Sequence, residues 1–158
     1  MTDGRSVSGS PLAQATRLRW HALRKGIGVA ADVQRLTRLY EALNTRHFAG
    51  ELPALPLRVS RRMRTRLGQL TLERRTGRPV EIAISARHLA AHDWTEVTQT
   101  LLHEMVHVWQ WRRGLAVDHG PGFRAKAGEV GVHAAARRKV GDVTTRGRSR
   151  LPTPDFRR

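Results

Sequence analysis

The chain has 158 residues, none of them cysteine, and a formal net charge of +16. The length fits one domain, because domains most often run to about 100–150 residues. Without cysteine, disulfides, cysteine-ligated zinc and thiol catalysis are excluded, so a metal site must use histidine, aspartate or glutamate. So large a positive charge attracts polyanions, of which nucleic acid is the commonest in a cytosol.

The sequence also indicates where in the cell the protein is expected. No apolar run approaches the roughly 20 residues that a membrane-crossing helix needs, and the N-terminus has no hydrophobic signal core. We therefore expect a soluble cytoplasmic protein with no membrane partner, associated with the nucleoid through its charge and monomeric.

The first 30 residues are predicted to form a basic extension that is partly disordered. Residues 1–12 are rich in glycine, serine and proline, a composition typical of disordered segments. Residues 13–25 predict a short basic helix, and Gly26 and Gly28 then break the helical pattern.

Residues 31–136 are predicted to form the folded domain. Apolar residues at helical spacing predict a helix over 31–48. Three short strands follow, bounded by glycine and proline, at 57–60, 67–72 and 80–84. The last segment, 137–158, is rich in arginine and is predicted to be a basic disordered tail.

The best-defined helix begins after Asp93. Asp93 and Glu96 have the spacing of a capping box, and Gly114 is a natural stop. Pro121 suits the first turn of one further helix, which is predicted to reach about Val132.

His103-Glu104-Met105-Val106-His107 lies in the middle of that capped helix. Residues four apart lie about one turn apart on one face, so the two imidazoles can bind one ion. Glu104, one step around the helix, can act as general base on a water at that ion. The apolar neighbours argue against a chance match, because polar groups among apolar ones need a partner to offset desolvation. The pattern predicts a zinc metallopeptidase.

Spacing alone leaves several candidates for the third metal ligand. A catalytic zinc usually has three protein ligands and one open position. Gln110 and Arg113 stand where the extended metzincin pattern needs glycine and histidine, so that class is excluded. His119 is preferred, because its flanking glycines let the backbone turn back towards the helix. The alternatives are Glu129, Asp118 and, more distant, His133.

With these motifs the chain resembles the SprT-like domain family, which includes bacterial SprT proteins and the eukaryotic DNA-repair protease Spartan. The resemblance covers residues 31–133, and its two most specific elements are the HExxH motif and the HGxxF element that follows it. The residues that carry it are 40–44, Phe48-Ala49-Gly50-Glu51-Leu52-Pro53, Gly68, Ile82-Ala83-Ile84-Ser85, 101–107 and His119-Gly120-Pro121-Gly122-Phe123.

The resemblance implies an α+β fold: a minimal zincin-like metalloprotease with helices packed on a small, mainly antiparallel sheet. It implies one catalytic zinc ion held by His103, His107 and His119, with Glu104 as catalytic base. The implied activity is cleavage of proteins bound or crosslinked to DNA. Many family members carry a cysteine-based zinc ribbon; this chain has no cysteine, so its DNA contacts are expected in the basic segments.

Arginine is concentrated in two stretches. Residues 58–78 hold eight arginines and one acidic residue, and residues 137–158 hold eight basic and two acidic residues. Arginine pairs bidentately with phosphate, and neither stretch has a base-reading motif, so DNA binding is predicted to be largely independent of sequence. The alternative is a solvated face and tail. The predicted DNA contacts are Arg61, Arg62, Arg64, Arg66, Arg74, Arg75, Arg137, Arg138 and Lys139.

Three hypotheses about function follow from these patterns. The first is a protease recruited to DNA, and the second is a DNA-associated zinc-binding factor, for example in transcription, without proteolysis. The third is a general peptidase whose charge is incidental and whose activity does not respond to DNA. Glu104 favours a protease, because a purely structural zinc site needs no base.

Overall fold

The computed structural model describes residues 10–132. Its elements are α1 (Pro11–Arg24), α2 (Val29–Phe48), β1 (Leu57–Ser60), β2 (Gly68–Leu72), β3 (Pro79–Ser85), α3 (Ala86–Ala91), α4 (Trp94–Arg112) and α5 (Pro121–Glu129). The predicted helices and strands are all present, with small shifts at their ends, and α3 is an addition. The predictions for residues 1–9, for the tail 137–158 and for His133 as a ligand lie outside the described residues.

The sheet has three strands in the order β1-β3-β2. β2 pairs with β3 antiparallel, whereas β1 pairs with β3 parallel. The predicted α+β class is confirmed, and the sheet within it is mixed, with only one of its two pairings antiparallel. The reason is the chain path: parallel neighbours need a crossover connection, and the segment 61–78, which contains β2, supplies it. In the order β1-β3-β2, β2 lies at one edge of the sheet.

The turn from α2 into β1 is held by side chains of the helix. Gly50 has a φ of 72°, a conformation that costs glycine little. The Asn44 amide both donates to the Leu52 carbonyl, at 3.0 Å, and accepts from the Leu52 N–H, at 3.1 Å. The Tyr40 hydroxyl donates to the Pro53 carbonyl at 2.7 Å. These bonds explain why the residues after the helix turn back towards the sheet.

α1 packs against α3, the helix that the sequence did not predict. Arg19 connects the two, since its Nε donates to the Leu89 carbonyl at 3.0 Å, and its Nη2 also pairs with Asp32. Leu23 is buried in the same core as the later helices. The predicted division between extension and domain at residue 31 stays a prediction.

α4 contributes more buried residues than any other element within residues 10–132. It contacts the sheet through β2 and β3 and also packs on α2, α3 and α5. Because it is covered on most sides, apolar residues are needed around most of its circumference, and Leu101, Met105 and Val106 are fully buried. Asp93 caps the helix by accepting the Glu96 N–H at 3.0 Å, as predicted. Within residues 10–132, no helix has the length and apolar character that crossing a bilayer requires.

Candidate metal centre

Three histidines converge beside α4. His103 and His107 lie on α4, and His119 lies in the loop between α4 and α5. The His119 Nε2 atom is 3.0 Å from the His103 Nε2 and 3.1 Å from the His107 Nε2. Ligand nitrogens that share a tetrahedral zinc ion lie about 3.3 Å apart, given bonds of about 2.0–2.1 Å. The three side chains can therefore hold a metal ion.

The protonation of these rings suits metal binding. The His107 Nδ1 atom faces the Gln110 Oε1 atom at 2.8 Å, and an amide oxygen only accepts, so the Nδ1 carries the proton. The Nε2 lone pair of His107 then points into the cluster. Burial lowers the pKa of His107 to about 4 and also lowers the pKa of His119. Both rings are therefore neutral near pH 7, which is the form that binds metals.

Contacts at the C-terminal end of this loop explain the position of His119. The Asp118 carboxylate accepts the Gly120 N–H at 2.8 Å, and Arg124 donates to the His119 carbonyl at 3.0 Å. Phe123, at the start of α5, packs against all three histidine rings, with centroids 4.6–4.8 Å apart. The HGxxF element thus supplies both the third ring and the apolar wall behind the cluster.

The structure separates the alternative ligands from the cluster. The Glu129 side chain is 66% exposed, and its carboxylate pairs with Lys126 at 2.7 Å. The Asp118 carboxylate is bound to the backbone of its own loop. Of the candidates within the described residues, only His119 joins His103 and His107.

Glu104 lies beside the cluster and is only 2% exposed. Its Oε2 atom accepts the Leu70 N–H of β2 at 2.9 Å. Its Oε1 atom has no hydrogen-bond partner among the described residues, which is unusual for a buried carboxylate oxygen. Burial raises the pKa of Glu104 to about 7, although the Leu70 N–H acts in the opposite direction. A carboxyl group with this pKa can both take and return a proton near neutral pH.

The family model described as SprT-like matches residues 36–145. The chain belongs to the SprT-like family. This confirms the resemblance drawn from the motifs, and the family implies a zincin-like fold. No curated protein and no solved structure matches the chain.

Gly68 of this SprT-like protein allows β2 to approach α4. A Cβ atom on Gly68 would lie 2.8 Å from the Thr100 Cγ2 and 3.1 Å from the Glu104 Oε1. The sequence places Gly68 in a strand but does not show this role. A glycine inside a strand is the available signal, because it often marks a close approach of another element.

We expect Gly68→Ala to destabilise the protein by about 1–3 kcal/mol, since the added methyl group overpacks the interface between β2 and α4. Gly128→Ala is the matched control, because nothing lies within 4 Å of its Cβ position inside α5. That change is expected to be neutral or stabilising by up to about 1 kcal/mol. Urea denaturation measures both, and equal stability of the two variants would contradict the steric role of Gly68.

A cleft of about 350 Å³ opens beside the cluster. One wall is β2, and the other is formed by Glu104, His107 and the loop residues that precede α5. Arg66 lies at this cleft, and the positive charge of its side chain acts to lower the pKa of Glu104. The SprT-like domain thus has open space between the sheet edge and the histidines.

The predicted DNA-contact arginines within the described residues are all exposed. Four lie in the connection between β1 and β2 and two in the turn between β2 and β3: Arg61, Arg62, Arg64, Arg66, Arg74 and Arg75. Arg58, another member of this arginine-rich stretch, pairs with Glu81 at 2.7 Å. Arg137, Arg138 and Lys139 lie outside the described residues, and DNA binding stays a prediction.

Proposed function

We propose that this SprT-like protein is a zinc-dependent metallopeptidase. His103, His107 and His119 hold one catalytic Zn²⁺ ion, and Glu104 is the general base. The observation that carries the proposal is the convergence of three Nε2 atoms beside a buried carboxylate oxygen that has no partner among the described residues. Membership of the SprT-like family supports it.

Each residue of the site has a separate role in the proposed peptide hydrolysis. A zinc ion held at this position would act as a Lewis acid towards the substrate carbonyl and would lower the pKa of water. The Leu70 N–H holds the Oε2 atom of Glu104, which leaves Oε1 to accept the proton of the attacking water. Glu104 then returns this proton to the leaving amide nitrogen, and its pKa near 7 suits both steps.

The burial of Glu104 supports catalysis over a purely structural zinc site. A carboxyl group buried among apolar residues loses hydration, which destabilises its charged form. A structural site gains nothing from such a group, whereas a hydrolase uses it as a base. The cleft beside it supports the same conclusion, because a structural site needs no space for a substrate.

The substrates that we propose are proteins bound or crosslinked to DNA. The net charge of +16 and the exposed arginines between β1 and β3 support binding to a polyanion. Arg66 belongs both to this arginine-rich surface and to the lining of the cleft, so DNA bound there would lie near the catalytic residues. On this proposal the protein acts as a monomer on the nucleoid, in the cytoplasm.

A cleavage assay with and without DNA tests this proposal. The zinc-loaded protein is incubated with a DNA-binding protein as substrate, either free or on duplex or single-stranded DNA. We expect cleavage to be faster on DNA, because enzyme and substrate that bind the same DNA molecule are at a higher effective concentration. Equal rates with and without DNA would identify a general peptidase instead. Zinc binding without cleavage in either condition would favour the DNA-associated zinc factor.

Salt dependence tests the electrostatic part of the proposal. If several phosphates are neutralised, log affinity for duplex DNA should fall with log salt concentration with a slope of about −0.9 per phosphate. Deleting residues 137–158 removes eight basic and two acidic residues, a net six positive charges, and should flatten this slope. A salt-insensitive interaction would contradict the proposal.

Single substitutions separate local contact from overall charge. Arg64→Gln removes an exposed arginine of the β1–β2 connection, and we expect the salt slope to fall by about one unit or less. Arg58→Gln is the matched control, because it removes the same formal charge from a side chain already paired with Glu81. Fluorescence anisotropy with labelled DNA measures both. Identical slopes for the two variants would mean that only net charge matters.

A further inference from the structure

Gln110 is a buried polar side chain next to the histidine cluster. It lies on α4 three residues after His107 and is only 1% exposed. Buried polar side chains need hydrogen-bond partners, since an unsatisfied amide costs about 1–3 kcal/mol. The partners of this amide connect two parts of the metal centre.

The orientation of the amide is determined by its neighbours. The Gln110 Nε2 atom is 3.0 Å from the Asp118 carbonyl oxygen, which only accepts, so the NH₂ group must face the loop. The Oε1 atom therefore faces the Nδ1 of His107, at 2.8 Å. This bond selects the His107 tautomer with the proton on Nδ1 and the lone pair on Nε2, the atom that faces His119.

The same residue holds the loop that carries the third histidine. The backbone carbonyl of Gln110 accepts the Leu115 N–H at 2.9 Å, at the start of the loop. Its side chain donates to the carbonyl of Asp118, the residue directly before His119. Gln110 thus binds the loop between α4 and α5 at two positions, Leu115 and Asp118.

We propose that Gln110 is the positioning residue that couples the two halves of the metal centre. Its amide orients His107 on α4 and at the same time fixes the backbone next to His119. This inference rests on the proposed function, because it takes the three histidines as metal ligands. If Gln110 only filled space in the core, an apolar side chain of similar size would replace it without loss of metal binding.

Two substitutions and one control test the coupling. Gln110→Met keeps the side-chain length and removes both hydrogen bonds, and Gln110→Glu keeps an acceptor for His107 but has no N–H for the Asp118 carbonyl. The control is Gln34→Met, the same substitution at an exposed position on α2. Zinc affinity is measured by competition with a chromophoric chelator. The d–d absorption spectrum of the Co²⁺-substituted protein reports the ligand geometry independently of activity.

We expect zinc affinity to fall about 10- to 100-fold in Gln110→Met, the usual loss when the hydrogen-bond partner of a metal ligand is removed. The Co²⁺ spectrum should change with it. Gln110→Glu should lie between this variant and the wild type, because it keeps one of the two contacts. The affinity of Gln34→Met should equal that of the wild type.

The outcomes separate this inference from the proposed function. A wild-type protein that binds no zinc overturns the proposed function and the role of Gln110 with it. A wild type that binds zinc, with Gln110→Met within about twofold of it and an unchanged Co²⁺ spectrum, overturns the role of Gln110 alone. If Gln110→Met fails to fold, Gln110→Glu decides in the same way: weaker binding with a changed spectrum supports the coupling, and wild-type binding overturns it.

Discussion

Glu104→Gln is expected to abolish proteolysis while the metal and the fold are retained. The amide has nearly the size of the carboxylate, and its oxygen can still accept the Leu70 N–H. It cannot accept a proton from water, so the general-base contribution, about 10²- to 10⁴-fold in rate, is lost. Stability should not decrease, because a neutral amide is buried at lower cost than a carboxylate.

The control for this prediction is Glu96→Gln, the same substitution at an exposed position on the same helix. Cleavage rates, zinc content and urea denaturation are compared for the wild type and both variants. Glu96→Gln should match the wild type in all three. Wild-type cleavage by Glu104→Gln would contradict the assignment of the base, and loss of zinc in that variant would show that Glu104 is itself a ligand.

His119→Ala is expected to weaken metal retention more than any change outside the three histidines. It removes the Nε2 atom that lies within 3.1 Å of both other ring nitrogens, and two protein ligands remain where three are usual. The loss should exceed the roughly 10- to 100-fold effect of removing a partner in the outer shell of a metal site. The fold should persist, because His119 lies in a loop and is only half-buried.

Glu129→Gln is the comparison variant, because Glu129 is one of the alternative third ligands that spacing alone leaves open. It is mostly exposed and paired with Lys126, so its substitution should leave metal binding unchanged. Elemental analysis after dialysis against a chelator is the measurement, and we expect it to find one metal ion per chain in the wild type and in Glu129→Gln. Full retention in His119→Ala together with loss in Glu129→Gln would contradict the arrangement of the cluster.

α4 and its pair of histidines were predictable from the sequence because their signals are local. The cap at Asp93, the apolar stripe and the stop at Gly114 lie within one helix length, and a spacing of four residues places His103 and His107 on one face. The family could be recognised for the same reason, since its motifs are short and contiguous. The family match over residues 36–145 confirms it.

The identity of the third histidine in the cluster depended on the conformation of the loop between α4 and α5. His119 is sixteen residues from His103 in the sequence, and several side chains in that region offered the right chemistry. Only the closure of the loop onto Gln110 and the packing of Phe123 bring His119, and not Glu129, to the cluster. Spacing alone favoured His119 without excluding the others.

Composition, helix caps and periodicity predicted the helix with the metal motif and the use of histidine rather than cysteine, and the resemblance of the motifs to the SprT-like family implied the α+β class. The tertiary structure alone decided the parallel pairing of β1 with β3, the presence of α3 and the environment of Glu104. That environment comes from Gly68 and Leu70, the latter thirty-four residues earlier in the chain. Such contacts depend on how separate elements pack, and no local pattern encodes the distance between two elements.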